Sequence, residues 1–159
     1  MAKFVNVFLF VVLLTNIAAA QNSGFGSLAS DRGKPMQFSS DSLIFNQEEN
    51  VAELFDEVEV KQGNSVLSAQ YIKAIYSKTD NKLVKIFAER NVELKSDKDI
   101  ARANNAIYLV AKDIISLTGN AHLIQGRNNI LADQILINTK TGLTELIGSV
   151  KTIIVPSKN

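Results

Sequence analysis

A small residue followed by a polar one recurs along the chain at a nearly fixed interval: Ser40-Asp41, Ala69-Gln70, Ala103-Asn104 and Ala132-Asp133. An apolar residue answers each pair, at Val58, Val92, Ala121 and Val150. From the polar residue of each pair to its answering residue the gap is 17, 22, 17 and 17 positions, and the return gap is 12 each time. The unit is therefore 29 residues long, with five more in the second copy. A fixed period of this size marks a chain built from one supersecondary unit in tandem. Such a unit cannot bury an apolar face alone, so its copies must stack or pair in series.

Inside the unit the apolar residues recur at every second position, as in Leu43/Phe45, Val58/Val60, Val92/Leu94 and Ile135/Ile137. Period two is the pattern of half-buried strands. Polar, turn-forming clusters separate them: Asn46 to Asn50, Gln62-Gly63-Asn64, Ser77 to Lys82, Gln125 to Asn129 and Asn138 to Gly142. Each copy then supplies two strands, the small-polar pair is expected just before a strand, and the five extra residues are expected in the turn around Ser77 to Lys82, where insertions cost little. The fold class is all-β, a folded-over antiparallel repeat sheet of about eight or more strands at two per copy.

Carried through every copy, the alternation gathers Leu43, Phe45, Leu54, Val58, Ile86, Val92, Leu117, Leu123, Ile135 and Leu146 on one face, with Ala52, Val60, Ile72, Ala88, Leu94, Tyr108, Ile115, Ile137 and Val150. Most charges fall on the other face, although Phe55, Phe87 and Ile147 interrupt it. One continuous apolar face exceeds what a soluble monomer exposes, so the sheet must fold over and enclose a trough. The small residues in this phase, among them Ala52, Ala69, Ala88, Ala103, Ala121 and Ala132, fit two readings: close packing around a dry core, or a trough with few large plugs.

The chain's ends read differently. Lys3, the apolar run Phe4 to Ile17 and Ala18-Ala19-Ala20 have the form of a secretory signal, residues 1–20, cleaved before Gln21. The run is shorter than the roughly 20 apolar residues of a membrane span. Residues 21–34, rich in Gly and Ser, are expected to form a flexible leader. The repeat domain then occupies residues 35–156, with a tail at 157–159. The sequence has no cysteine, which excludes a lipidated cleavage site and any disulfide staple. Without Lys3, sixteen basic residues balance sixteen acidic ones, so nothing steers the protein toward nucleic acid.

His122, the lone histidine, lies between inward Ala121 and Leu123 and is expected to point outward. Asp41 and Asp133 could suggest the paired carboxylates of a glycosidase. They recur in repeat register without other acids converging on them, which favours a turn role in which the carboxylate bonds backbone donors. No catalytic residue, metal site or cofactor is expected.

The markers in order, (small)-Asp-x-Leu-x-(aromatic), a polar turn, Asn-Val-x-(Val/Leu)-x-Gln-Gly and a return to Ala-Asp, resemble the OstA-like family. They are carried by Ser40-Asp41-Ser42-Leu43-Ile44-Phe45, Val58-Glu59-Val60-Lys61-Gln62-Gly63, Asn91-Val92-Glu93-Leu94, Gly119-Asn120-Ala121-His122-Leu123-Ile124-Gln125-Gly126 and Ala132-Asp133. Gln70 and Asn104 stand where the pattern has Asp, and Asp56-Glu57 where it has Gly-Asn. The resemblance implies a β-jellyroll or β-taco that binds lipopolysaccharide through its lipid A acyl chains in the periplasm and serves as a transport bridge from inner to outer membrane. It further implies head-to-tail self-association and contact with related β-jellyroll domains of the inner- and outer-membrane transport components. On that reading the ten residues from Leu43 to Leu146 named first above line the lipid path. Two alternatives stay open: an inner-membrane-anchored relative of the same fold, and a structural β-repeat protein without ligand.

Overall fold

The computed structural model describes residues 25–153; the expected signal segment, residues 21–24 and the tail lie outside the described residues. The strands are β1 (Met36–Ser39), β2 (Ser42–Asn46), β3 (Val51–Gln62), β4 (Ser65–Tyr76), β5 (Leu83–Ser96), β6 (Asp99–Leu109), β7 (Ile114–Gln125), β8 (Asn128–Asn138), β9 (Thr144–Ile147) and β10 (Lys151–Ile153). All pairings are antiparallel, and β3 to β8 form an uninterrupted meander. β1 and β2 both pair with β3, one with each half of it, and β9 and β10 do the same with β8. The ten segments are thus eight long strands of which the first and last are broken in the middle. The sheet does not close: β1/β2 and β9/β10 are its two edges.

The alternation of inward residues slips once in each of β3 to β8, and the slip is where the sheet folds. In β4, β6 and β8 the buried positions step by three, from Ala69 to Ile72, Ala103 to Ala106 and Ala132 to Ile135. In β3, β5 and β7 they step by four, from Leu54 to Val58, Ala88 to Val92 and Leu117 to Ala121. The longer step spans a bulge with two consecutive left-handed residues: Asp56-Glu57 (φ 58° and 46°), Arg90-Asn91 (66° and 54°) and Gly119-Asn120 (79° and 53°). An extra residue on one strand of a pair bends and twists it. Repeated at the same level across the sheet, the bulges make a spine that divides it into two wings facing each other over one apolar core.

This geometry corrects where the repeat markers sit. Ala69-Gln70, Ala103-Asn104 and Ala132-Asp133 are in the middle of β4, β6 and β8, and Val58, Val92 and Ala121 are in the middle of β3, β5 and β7. A long strand bent at its centre has two runs of alternation and imitates two short strands. Asp133 accordingly sits at the spine inside β8, whereas Ser40-Asp41 does stand just before a strand, at the break between β1 and β2; the Asp41 backbone N–H donates to the Asp56 carbonyl at 3.1 Å.

Two further expectations change. The second copy's surplus residues lengthen the arms of its hairpin as well as the turn: Tyr76 and Leu83 pair beyond the level where Ile75 meets Lys85. And the segment expected as a flexible leader contains a helix, α1 (Gly26–Asp31), with Phe25, Leu28 and Asp31 buried. The Gly and Ser content hid an apolar pair at i, i+3, which is the spacing that puts two residues on one helical face.

Candidate functional site: the interior of the folded sheet

Residues paired across antiparallel strands point to the same face, so the registers define the interior row by row. One row crosses the whole sheet: Leu43, Leu54, Ile72, Ala88, Ala106, Leu117, Ile135 and Leu146. The next runs Phe45, Ala52, Ala74, Ile86, Tyr108, Ile115, Ile137. Beyond the spine, Phe38, Val60, Leu67, Leu94, Ala101, Leu123 and Ile130 form the matching row of the other wing. Chemically these are similar, predominantly aliphatic surfaces in register, with aromatic rings at Phe38, Phe45 and Tyr108.

The ten residues singled out from sequence all lie on this interior. Leu54, Val58, Ile86, Val92, Leu117, Leu123 and Ile135 are buried, none more than 2% exposed, and Leu146 packs against the same cluster. Leu43 and Phe45 share the face by register with Leu54 and Ala52, yet they stand 56% and 54% exposed because β2 is the sheet's edge and none of the described residues covers it. The middle of the interior is filled by side chains of the two wings, while at the first edge the apolar surface is bare.

The turns of the two wings form two rims, and α1 lies across the seam between them. On one rim, the Asp31 carboxylate accepts from the Ser65 hydroxyl at 2.8 Å and from the Asn64 backbone N–H at 2.9 Å, with Lys34 Nζ 2.8 Å away. Ser27 and Ser96 place their hydroxyl oxygens 2.5 Å apart, and Ser96 also meets Ser65 at 2.8 Å. On the other rim, the Arg32 guanidinium holds Asp113 through two hydrogen bonds of 2.8 and 3.0 Å. Burial pushes the Asp31 carboxyl up, and the hydrogen bonds from Lys34, Ser65 and Asn64 outweigh it, so its pKa lies below the ordinary 3.8.

Beneath α1 a cleft opens between the wings. Leu28 and Met36 line it together with Val60, Leu67 and Leu94 from one wing and Ile86, Tyr108 and Ile115 from the other. Thr139 also lines it, with Ser65 and Gln62 among the polar residues, and the Thr139 Oγ1 is the one buried side-chain polar atom without a hydrogen-bond partner among the described residues. The sequence reading missed this seam, since it depends on residues more than thirty positions apart meeting at a buried carboxylate.

The outer face carries ordinary surface chemistry. Glu93 pairs with Lys95 and Arg102, both at 2.6 Å, and these bonds hold its carboxyl low. His122 points outward as expected, its Nε2 3.1 Å from Asn129 Oδ1. Among the described residues no group of acidic or histidine side chains converges as metal ligands would.

The family model described as LptA/(LptD N-terminal domain) LPS transport protein matches residues 37–143, well over half of the chain. The chain belongs to this family. A structural match extends over 80% of this chain and 99% of the other, with a TM-score of 0.70 at 19% identity. The matched protein is LptH, the LptA homologous periplasmic component of the conserved lipopolysaccharide transport device from Pseudomonas aeruginosa. A comparison with curated protein sequences finds no match. The family assignment agrees with the OstA-like resemblance read from the markers, and the structural match carries the same folded-over sheet.

Proposed function

We propose that this protein shields the acyl chains of lipopolysaccharide inside its folded sheet and passes them across the periplasm as one segment of a bridge from inner to outer membrane. The observation that carries the reading is the row from Leu43 to Leu146, an apolar surface continuous from one open edge to the other, in a chain of the lipopolysaccharide-transport family. A free acyl chain loses about 0.8 kcal/mol per CH₂ exposed to water, so a carrier must cover it along the whole route. Near-equivalent apolar positions, one set from each repeat along every row, let a chain slide without a deep local minimum. Because the wings touch in the middle, cargo enters by parting them, beginning where Leu43 and Phe45 are already bare.

The open edges support the partner reading. Among the described residues β1/β2 and β9/β10 have no partner strand on their outer side, which suits a head-to-tail array of copies and contacts with related β-jellyroll domains at either membrane. Delivery to the periplasm rests on residues 1–20 acting as a cleaved signal, and a mature N-terminus at Gln21 by mass spectrometry is the expected result.

The decisive experiment is photo-crosslinking in cells. Crosslinkers at Leu43, Phe45, Leu54, Leu117 and Ile135 should capture lipopolysaccharide, and crosslinkers at outward Glu59 and Glu145 should not. Capture confined to the outward positions would overturn the proposal.

A further inference from the structure

We infer that α1 is a displaceable strap that occupies the seam between the wings and competes with the lipid for entry to the interior. The inference rests on the lipid-carrier reading and adds a regulatory element to it.

Three observations point the same way. First, α1 belongs to neither wing: its own residues are tied to Ser65, Ser96 and Asn64 on one rim, and Arg32, which caps its end, is tied to Asp113 on the other, so the docked segment links the two rims. The rims are shaped for it. A Cβ on Gly142 would stand 2.7 Å from the Gly26 Cα, and one on Gly63 would overlap the Asp31 carboxylate.

Second, the segment inserts apolar groups where cargo would go. Phe25 is fully buried and Leu28 nearly so, both in the cluster made by the interior rows, and Leu28 walls the cleft shared by the two wings.

Third, the helix has little stability of its own. It is six residues long, carries no side-chain N-cap and no acidic residue in its first turn. Isolated helices shorter than about 12–15 residues are marginal in water. α1 therefore exists as docked helix or as unfolded chain, which is a two-state element of the kind a ligand can bias. In the docked state Thr139 Oγ1, on the cleft wall, has no hydrogen-bond partner among the described residues.

A disulfide tests this directly. The Ser27 and Ser96 side-chain oxygens are 2.5 Å apart, close to a disulfide's S–S separation of about 2.0 Å, and the chain has no cysteine of its own. In the S27C/S96C variant, oxidation should lower the capture of fluorescent lipopolysaccharide at least tenfold, and reduction should restore it. Equal capture by the oxidised and reduced forms would overturn the strap and leave the carrier reading intact. Absence of capture by both the reduced variant and the unmodified protein would instead remove the carrier reading. As a second arm that adds no crosslink, Arg32→Ala releases one rim and should raise the rate of capture severalfold; an unchanged rate would count against the strap.

Discussion

Gly119 lies so close beneath Asn104 that a Cβ on it would stand 3.0 Å from the Asn104 Cβ, and 29 residues on, Gly148 lies beneath Asp133 with the corresponding distance 2.8 Å. Both glycines have positive φ, 79° and 73°. The polar residue of one repeat marker is thus the lid over the bend of the following strand. Left-handed backbone costs an ordinary residue about 1–2 kcal/mol. Gly119→Ala should destabilise the protein by at least that amount in urea unfolding, since the crowding against Asn104 adds to the backbone cost. An unchanged midpoint would mean that the spine tolerates side chains at this level.

The same bend in the first copy uses Asp56 and Glu57, both left-handed and both exposed. Glu57→Gly removes the backbone cost there without removing a buried contact. The variant should be more stable by up to about 1 kcal/mol, read as a higher urea midpoint with an unchanged slope. A lower midpoint would show that the Glu57 side chain contributes to the spine.

These glycines and their substitutes also show what the sequence could convey. The repeat, the turns and the inward phase are local signals, and Val58, Val92, Leu117 and Ile135 are buried on the face that alternation assigns them. The fold line was present too, as the jump from Leu117 to Ala121 on one strand and from Ala132 to Ile135 on its neighbour. A pattern search reads such a jump as a gap between strands, because period two has no phase for a bend within one strand. The strap was least legible. Asp31 takes its meaning from Ser65, and no periodicity links a residue in a Gly- and Ser-rich stretch to a hairpin turn 34 residues later.

Asp31 gives the strap a dependence on pH. Its folded pKa lies below the ordinary 3.8. A depressed carboxyl contributes stability that is present above the unfolded value and is lost as pH falls through the folded value. Hydrogen bonds to a charged group are worth about 1.5–3 kcal/mol each, so Asp31→Asn should cost roughly that much at neutral pH. The gap between the two proteins should narrow as pH falls below 3.8. Thermal melts of both across that range check it, and a gap independent of pH would show that the charge of Asp31 is not what holds α1.

Tyr71 makes the opposite case on the outer face. Burial, the hydrogen bond to Glu53 and the charges of Glu53 and Glu89 push its phenol up to about 12. A raised folded pKa means stability that is complete below the ordinary value of 10.0 and is lost as pH rises through about 12. Ultraviolet titration should show one tyrosine ionising at about 12, and Tyr71→Phe should abolish that step. Persistence of the step in Tyr71→Phe would assign it elsewhere.

Leu117 and the Leu43/Phe45 pair share one interior but differ in cover, and this separates stability from transport. Leu117 is fully buried, so Leu117→Ala should cost about 2–5 kcal/mol through lost burial and the cavity it leaves. Leu43 and Phe45 project from the edge strand with more than half their surface in water. Leu43→Ser with Phe45→Ser therefore removes little that the fold needs, and the double variant should unfold within about 1 kcal/mol of the parent. If these two side chains are the threshold of the lipid path, the same variant should lose most of its capture of fluorescent lipopolysaccharide. Unfolding curves and capture assays on the one preparation decide between the readings: full capture with unchanged stability would mean that lipid enters somewhere other than the β2 edge.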